Sequence, residues 1–165
     1  MKTIFFSGSR GIKNLTPENL IYINECINNN FRIIIWDADW ADTLIQKYLT
    51  EKKYSNVSIF TINKIARNNI GNSEVIYCKI PDWTFSKAVF SVKDEEMRKI
   101  CSEGYVIWDW ESKWTENNIK NLLKKGKKVT ISIAGENIQW PNEEPFSKGK
   151  IQEKILQVNQ SSLFH

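Results

Sequence analysis

At 165 residues, 41% hydrophobic and 25% charged, the chain has the make-up of one soluble globular domain spanning 1–165, able to bury roughly 70% of its unfolded surface without a staple. A net charge of +4 suits an anionic small molecule and falls short of the concentrated basic face that makes nucleic acid a partner. Three scattered cysteines (Cys26, Cys78, Cys101) without a CxxC pair exclude a zinc finger and a disulfide framework and fit a reducing cytoplasm, while a single histidine, His165, leaves little for a histidine triad or a His-rich metal site.

The first apolar run, "TIFFSGS" at 3–9, reads as a buried strand entering a turn and is too short for the core of a signal peptide. A helix follows over 16–30, with Thr16 as N-cap and Pro17 at the first helical position. "RIIIW" (32–36) reads as a strand and 41–53 as a helix; strands are expected at 57–62 and 74–80. The spacing then predicts a helix over 91–103 stopped by Gly104, a strand at 105–109, a helix over 115–126 and a strand at 128–133. "KKGKK" (124–128) reads as a helix C-terminus with a glycine cap, and 150–158 as an amphipathic helix. No apolar run approaches membrane-spanning length.

Strands apolar on both faces, alternating with helices, predict an α/β protein with a mostly parallel sheet covered on both sides. Ligands of such sheets bind beyond the carboxyl ends of the strands. Three of those ends read "SGSRG", "WDADWAD" and "WDWESKWT". In the first, Gly8 and Gly11 permit close backbone approach, and Ser7, Ser9 and Arg10 can hold a phosphate or carboxylate, although a plain turn would look the same. In the second, Asp37, Asp39 and Asp42 suit a hard cation, a cap on the next helix by Asp39 or its neighbour, or hydrogen bonds to ribose hydroxyls. In the third, Asp109 leaves the strand, Ser112 and Lys113 form a turn, and Thr115 is placed as the N-cap of a helix whose free N–H groups favour an anion. Trp36, Trp40, Trp108, Trp110 and Trp114 all fall on two of these ends. Trp108 reads as core, whereas Trp40, Trp110 and Trp114, in turns among polar residues, read as walls that stack on a flat ligand in one shared cleft beside Arg10.

"FFSGSR", "DADWAD", "KDEEM" and "IWDWESKWTENNIKNLLKKGKKV", in that order, resemble the SLOG superfamily, which includes cytokinin-activating LOG proteins, the DNA-processing protein A domain and YpsA-like proteins. The resemblance covers about residues 2–134 and is strongest to small bacterial and phage members with loops like G-D-A-x-G-A-D and D-G-x-S-x-G-T-x-N-N. It implies a Rossmann-like three-layer sandwich, a nucleotide-type ligand and, by analogy, a homodimer or higher homo-oligomer. Where those relatives have glycine, this chain has Trp36, Trp40, Trp110 and Trp114. The glutamate of the phosphoribohydrolase motif is replaced by Asn118, an amide that cannot act as general base, and Glu116, one residue past Thr115, is expected to point elsewhere.

The expected function is non-catalytic sensing or sequestration of a nucleotide-derived molecule, such as an ADP-ribose-like or cyclic nucleotide signal, as a phage protein soaking up a defence signal would require. No metal and no cofactor is expected. Ser7, Ser9 and Arg10 would hold phosphate, Asp37 and Asp109 ribose hydroxyls, and Trp40, Trp110 and Trp114 the bases. One alternative is an N-glycosidase acting on nucleoside monophosphates, with Asp109, Glu111 or Glu116 as its carboxylate. Another is a scaffold whose tryptophans fill the pocket.

Overall fold

Along β1 (Thr3–Gly8) the side chains point alternately to two cores, Phe5 into one and Ile4 and Phe6 into the other. A strand buried on both faces must be covered on both. The computed structural model, which describes residues 1–82, 88–141 and 144–162, shows that it is. His165 lies outside the described residues.

Five strands form a parallel array with shared register: β1, β2 (Arg32–Trp36), β3 (Val57–Thr61), β5 (Glu103–Ile107) and β6 (Lys128–Ile133). A parallel β4 (Glu74–Tyr77) closes one edge, and β7 (Glu136–Trp140), antiparallel to β6, closes the other. The order is β4-β3-β2-β1-β5-β6-β7. Helices α1 (Pro17–Asn28) and α2 (Ala41–Glu51) bury Ile23, Cys26, Ile45 and Leu49 against one face. On the other face α3 (Val89–Ile100), α4 (Lys113–Lys124) and α5 (Lys148–Ser162) bury Met97, Ile119, Leu122 and Ile151. Right-handed crossovers place helices on opposite faces once the chain reverses its march across the sheet. The protein is thus the α/β, Rossmann-like three-layer sandwich expected. Among the described residues no helix is long and apolar enough to cross a membrane.

Local chemistry explains both agreement and difference. Thr16 caps α1 in a reciprocal box with Asn19, and Pro17 starts the helix. At the end of α4, Gly126 (φ 68) donates to Leu123 and Lys127 N–H to Leu122, so the cap reading of "KKGKK" holds. Gly104, by contrast, does not stop a helix. It lies inside β5, where a Cβ would come within 2.6 Å of Leu122, and α3 already ends at Ile100. The helix at 115–126 starts earlier, at Lys113, and the strand at 74–80 ends at Tyr77. Strand β7 was not expected. Ala134 (φ 50) and Gly135 (φ 79) turn the chain in two left-handed residues, a geometry that matches strand twist in a tight hairpin.

Candidate functional site

The direction of the chain across the sheet reverses between β1 and β5, and a cleft of about 580 Å³ opens at their carboxyl ends. Its wall takes Ser7, Gly8 and Arg10 from the β1 end, Ala38, Asp39, Trp40 and Asp42 from the β2–α2 junction, and Asp109, Ser112, Trp114 and Thr115 from the β5–α4 junction. Trp36, Arg67, Lys93, Asp94 and Asn118 complete it. Ser9, Asp37, Trp110 and Lys113, also expected at the site, do not line it.

The β1 loop uses much of its polarity to hold itself together. Ser9 is buried; its N–H donates to the Ile107 carbonyl, and its hydroxyl donates to Thr115 Oγ1 (3.0 Å) and accepts from Asp109 N–H (3.1 Å). That hydroxyl is a tie between β1, β5 and α4, not a phosphate contact. Gly8 admits the N-terminus of α2, since a Cβ there would collide with Ala41. Gly11 admits Asp109, whose Oδ2 would lie 2.8 Å from a Cβ. Both glycines are thus explained by internal packing before any ligand is invoked. Arg10 is exposed on the cleft wall and makes no ion pair with a described residue.

At the β2–α2 junction, Asp37 is buried and its carboxylate fully engaged. It accepts from Thr61 Oγ1 (2.7 Å), Arg67 N–H (3.0 Å) and Arg67 Nη2 (2.9 Å). Burial alone would raise its pKa, but Arg67 and Thr61 outweigh that and hold it below the ordinary value. The ribose contact expected of Asp37 is therefore already occupied by the protein. Asp39 accepts from Asn68 Nδ2 at 2.9 Å and does not cap α2. The N-cap position is Trp40, at φ 71 and ψ −122, with no side-chain cap hydrogen bond. Only glycine visits that backbone region without strain. With Asp37 and Asp39 divided between Arg67 and Asn68, the acidic run forms no shared ligand set, and no metal-binding cluster of three side chains exists among the described residues.

The β5–α4 junction repeats the backbone pattern but closes it. Trp110 also has positive φ, 70, yet its ring packs 5.1 Å from Trp108, with Lys148 Nζ 5.5 Å away and donating to the Trp110 carbonyl. It belongs to the core side and not to the cleft, so the expected cluster of three indoles reduces to two at the rim. Trp40 is 52% exposed and Trp114 45%. Asp109 Oδ1 accepts the N–H groups of Glu111 and Ser112, and Trp108 Nε1 donates to the Ser112 carbonyl. Although burial opposes it, these N–H donors and Ser9 hold the Asp109 carboxyl below its usual range. Ser112, not Thr115, is the N-cap, accepting from Thr115 N–H; Thr115 is fully buried and tied to Ser9 and Ser112. Glu116 is paired with Lys120 (2.7 Å) away from the cleft, and Lys113 is exposed outside it.

Charged groups that the motif reading missed lie on the cleft floor. From α3, Lys93 and Asp94 are buried. Asp94 accepts from Trp36 Nε1 at 3.0 Å, and Lys93 Nζ lies 3.5 Å from the Trp36 ring centroid. Asn118 donates to Ser7 Oγ and accepts from Arg98. Burial lifts the Asp94 carboxyl to about 6, against the pull of Lys93 and Arg98. It lowers the Lys93 pKa, opposed by Asp94 and Asp42. Asp42, 6% exposed in the first turn of α2, is pushed well above the ordinary carboxylate value, again by burial first. Lys93 and Asp94 had a readable signal, since they share a helix face with buried Met97 and Cys101 at spacings of three, four, seven and eight. Arg67 had none, coming from the irregular 62–73 segment.

Chemically, the site is a slot with aromatic rims, two exposed guanidinium groups of which Arg67 is held by Asp37, and a floor of paired charges. Compared with known proteins, the chain matches no family model, no curated protein and no solved structure.

Proposed function

We propose that the protein binds a nucleotide-derived small molecule without transforming it, as a sensor or a sequestering protein of SLOG type. The observation that carries this reading is the pair of half-exposed indoles, Trp40 and Trp114, bordering an open cleft at the point where the strand order reverses. Holding Trp40 at φ 71 costs about 1–3 kcal/mol. That cost is offset if the ring supplies stacking, worth about 1–3 kcal/mol per base. Arg10 on the same wall suits the phosphate. The indoles leave about 580 Å³ between the cleft walls, which speaks against a pocket filled by tryptophan.

The test is thermal unfolding with AMP, CMP, NAD, ADP-ribose and cyclic nucleotides. A ligand at a hundredfold excess over its Kd adds about 2.7 kcal/mol, a rise of roughly 5–10 °C in a protein of this size. No shift with any of them overturns the reading. One observation favours a second reading, N-glycosidase activity: a buried acid with a pKa of about 6, Asp94, lines the cleft. Chromatography of AMP, CMP and NAD incubations decides between them. Free base released by the wild type and not by Asp94→Asn would establish the enzyme.

A further inference from the structure

Among the described residues, Asp42 Oδ1 is the one buried side-chain polar atom without a hydrogen-bond partner. Its residue is 6% exposed and lines the cleft. Buried acceptors are satisfied almost everywhere in proteins, so an exception at a cleft points to what the cleft binds. Beside it, α2 begins without a side-chain cap, so the N–H groups of its first turn remain available as donors. An unmatched acceptor and uncapped donors thus belong to the same first turn of α2.

A hydroxyl answers both, because it donates and accepts at once. The surrounding charges favour a neutral group. Arg67 is paired with Asp37 at 2.9 Å, Arg98 with Glu95 at 3.2 Å, and Lys93 lies in the field of Asp94. A second ionised group inserted there would be left without a counter-charge.

We propose that Asp42 is the contact through which the cleft holds the sugar hydroxyls of its ligand, a vicinal diol bridging Asp42 Oδ1 and the uncapped first turn of α2. The assignment rests on the nucleotide reading above and moves the hydroxyl contact from Asp37, whose carboxylate is occupied, to α2. Burial pushes the Asp42 carboxyl toward its neutral form, opposed by Lys93, and a carboxyl oxygen accepts a hydrogen bond in either form. The base is then left to the Trp40 and Trp114 rim and the phosphate to Arg10.

Isothermal titration of the wild type, Asp42→Asn and Asp42→Ala with AMP, its 2′,3′-dideoxy counterpart and ADP-ribose tests this. The wild type is expected to favour AMP over the dideoxy compound by about tenfold. Asp42→Asn, which keeps a carbonyl oxygen, retains most of that preference, and Asp42→Ala loses it while unfolding no earlier than the wild type. Should Asp42→Ala not fold, Asp42→Leu, close in shape and without an acceptor, replaces it. Binding without hydroxyl preference, or a preference that survives loss of the acceptor, overturns the assignment and leaves the nucleotide reading standing. Heat from neither AMP nor ADP-ribose overturns both.

Discussion

The β2–α2 and β5–α4 junctions start alike and end differently. Each leaves a parallel strand with a buried tryptophan, Trp36 or Trp108, whose indole N–H is bonded, to Asp94 in one case and to the Ser112 carbonyl in the other. Each then forces a second tryptophan into positive φ, Trp40 at 71 and Trp110 at 70. At β5–α4 the strained residue is closed in: Trp110 packs on Trp108, Ser112 caps the helix, and Asp109 Oδ1 accepts two N–H groups, with only Trp114 left at the rim. At β2–α2 the ring stands at the cleft, the helix has no side-chain cap, and Asp42 keeps an orphan oxygen. The same backbone strain is compensated by packing on one side and left uncompensated on the other. Unfinished chemistry of that kind is what the proposed ligand would complete.

The comparison breaks most visibly at the closed junction. Trp108→Ala removes a fully buried ring and should cost about 3–5 kcal/mol, lowering Tm by on the order of 10 °C in calorimetry. Next in size is a pH effect beneath the open junction. Because burial lifts Asp94 to about 6 in the folded protein, its contribution is fully present below the unfolded value of 3.8 and lost as pH rises through 6. That is about 3 kcal/mol between those limits. Urea unfolding of Asp94→Asn should lack this fall, with Trp36, Lys93, Arg98 and Asn118 still around the site. Asp109 at the closed junction has the opposite sign: its carboxyl is depressed, so its contribution is present above the unfolded pKa and lost as pH falls.

Glycine at the two strained positions sharpens the contrast further. Trp40→Gly relieves strain while giving up a ring at the rim, and should raise stability by about 1 kcal/mol. Trp110→Gly relieves the same strain but surrenders packing on Trp108, for a net loss of about 1 kcal/mol. Equal signs in chemical denaturation would show that the two rings are not differently placed. A loss of the same order is expected at Ser112→Ala, about 1 kcal/mol for the missing cap and a Tm drop of roughly 2–4 °C.

Much of the fold was legible because it is written in local chemistry. The apolar runs at 3–8, 32–36 and 128–133 and the Thr16–Pro17 start are signals that tertiary context did not override. β7 escaped because an edge hairpin with exposed polar residues carries only a faint alternation at Ile138 and Trp140. The position of the cleft followed from the strand ends, but the internal partners of its residues did not. Asp37 and Ser9 look like ligand contacts in sequence, and only the fold brings Arg67, Thr61 and Thr115 to satisfy them. Trp110 and Trp40 look alike in sequence, each in a turn among polar residues after a strand, and what separates them is Lys148 and Trp108.

The central claim is that the rim indole of the open junction, at position 40, stacks on a nucleotide. Titration of AMP and ADP-ribose into the wild type and Trp40→Ala by calorimetry tests it most directly. Binding by the wild type that weakens about tenfold or more in Trp40→Ala, with the fold intact, is the result expected. Equal affinity in the two proteins, or no binding by either, would contradict it.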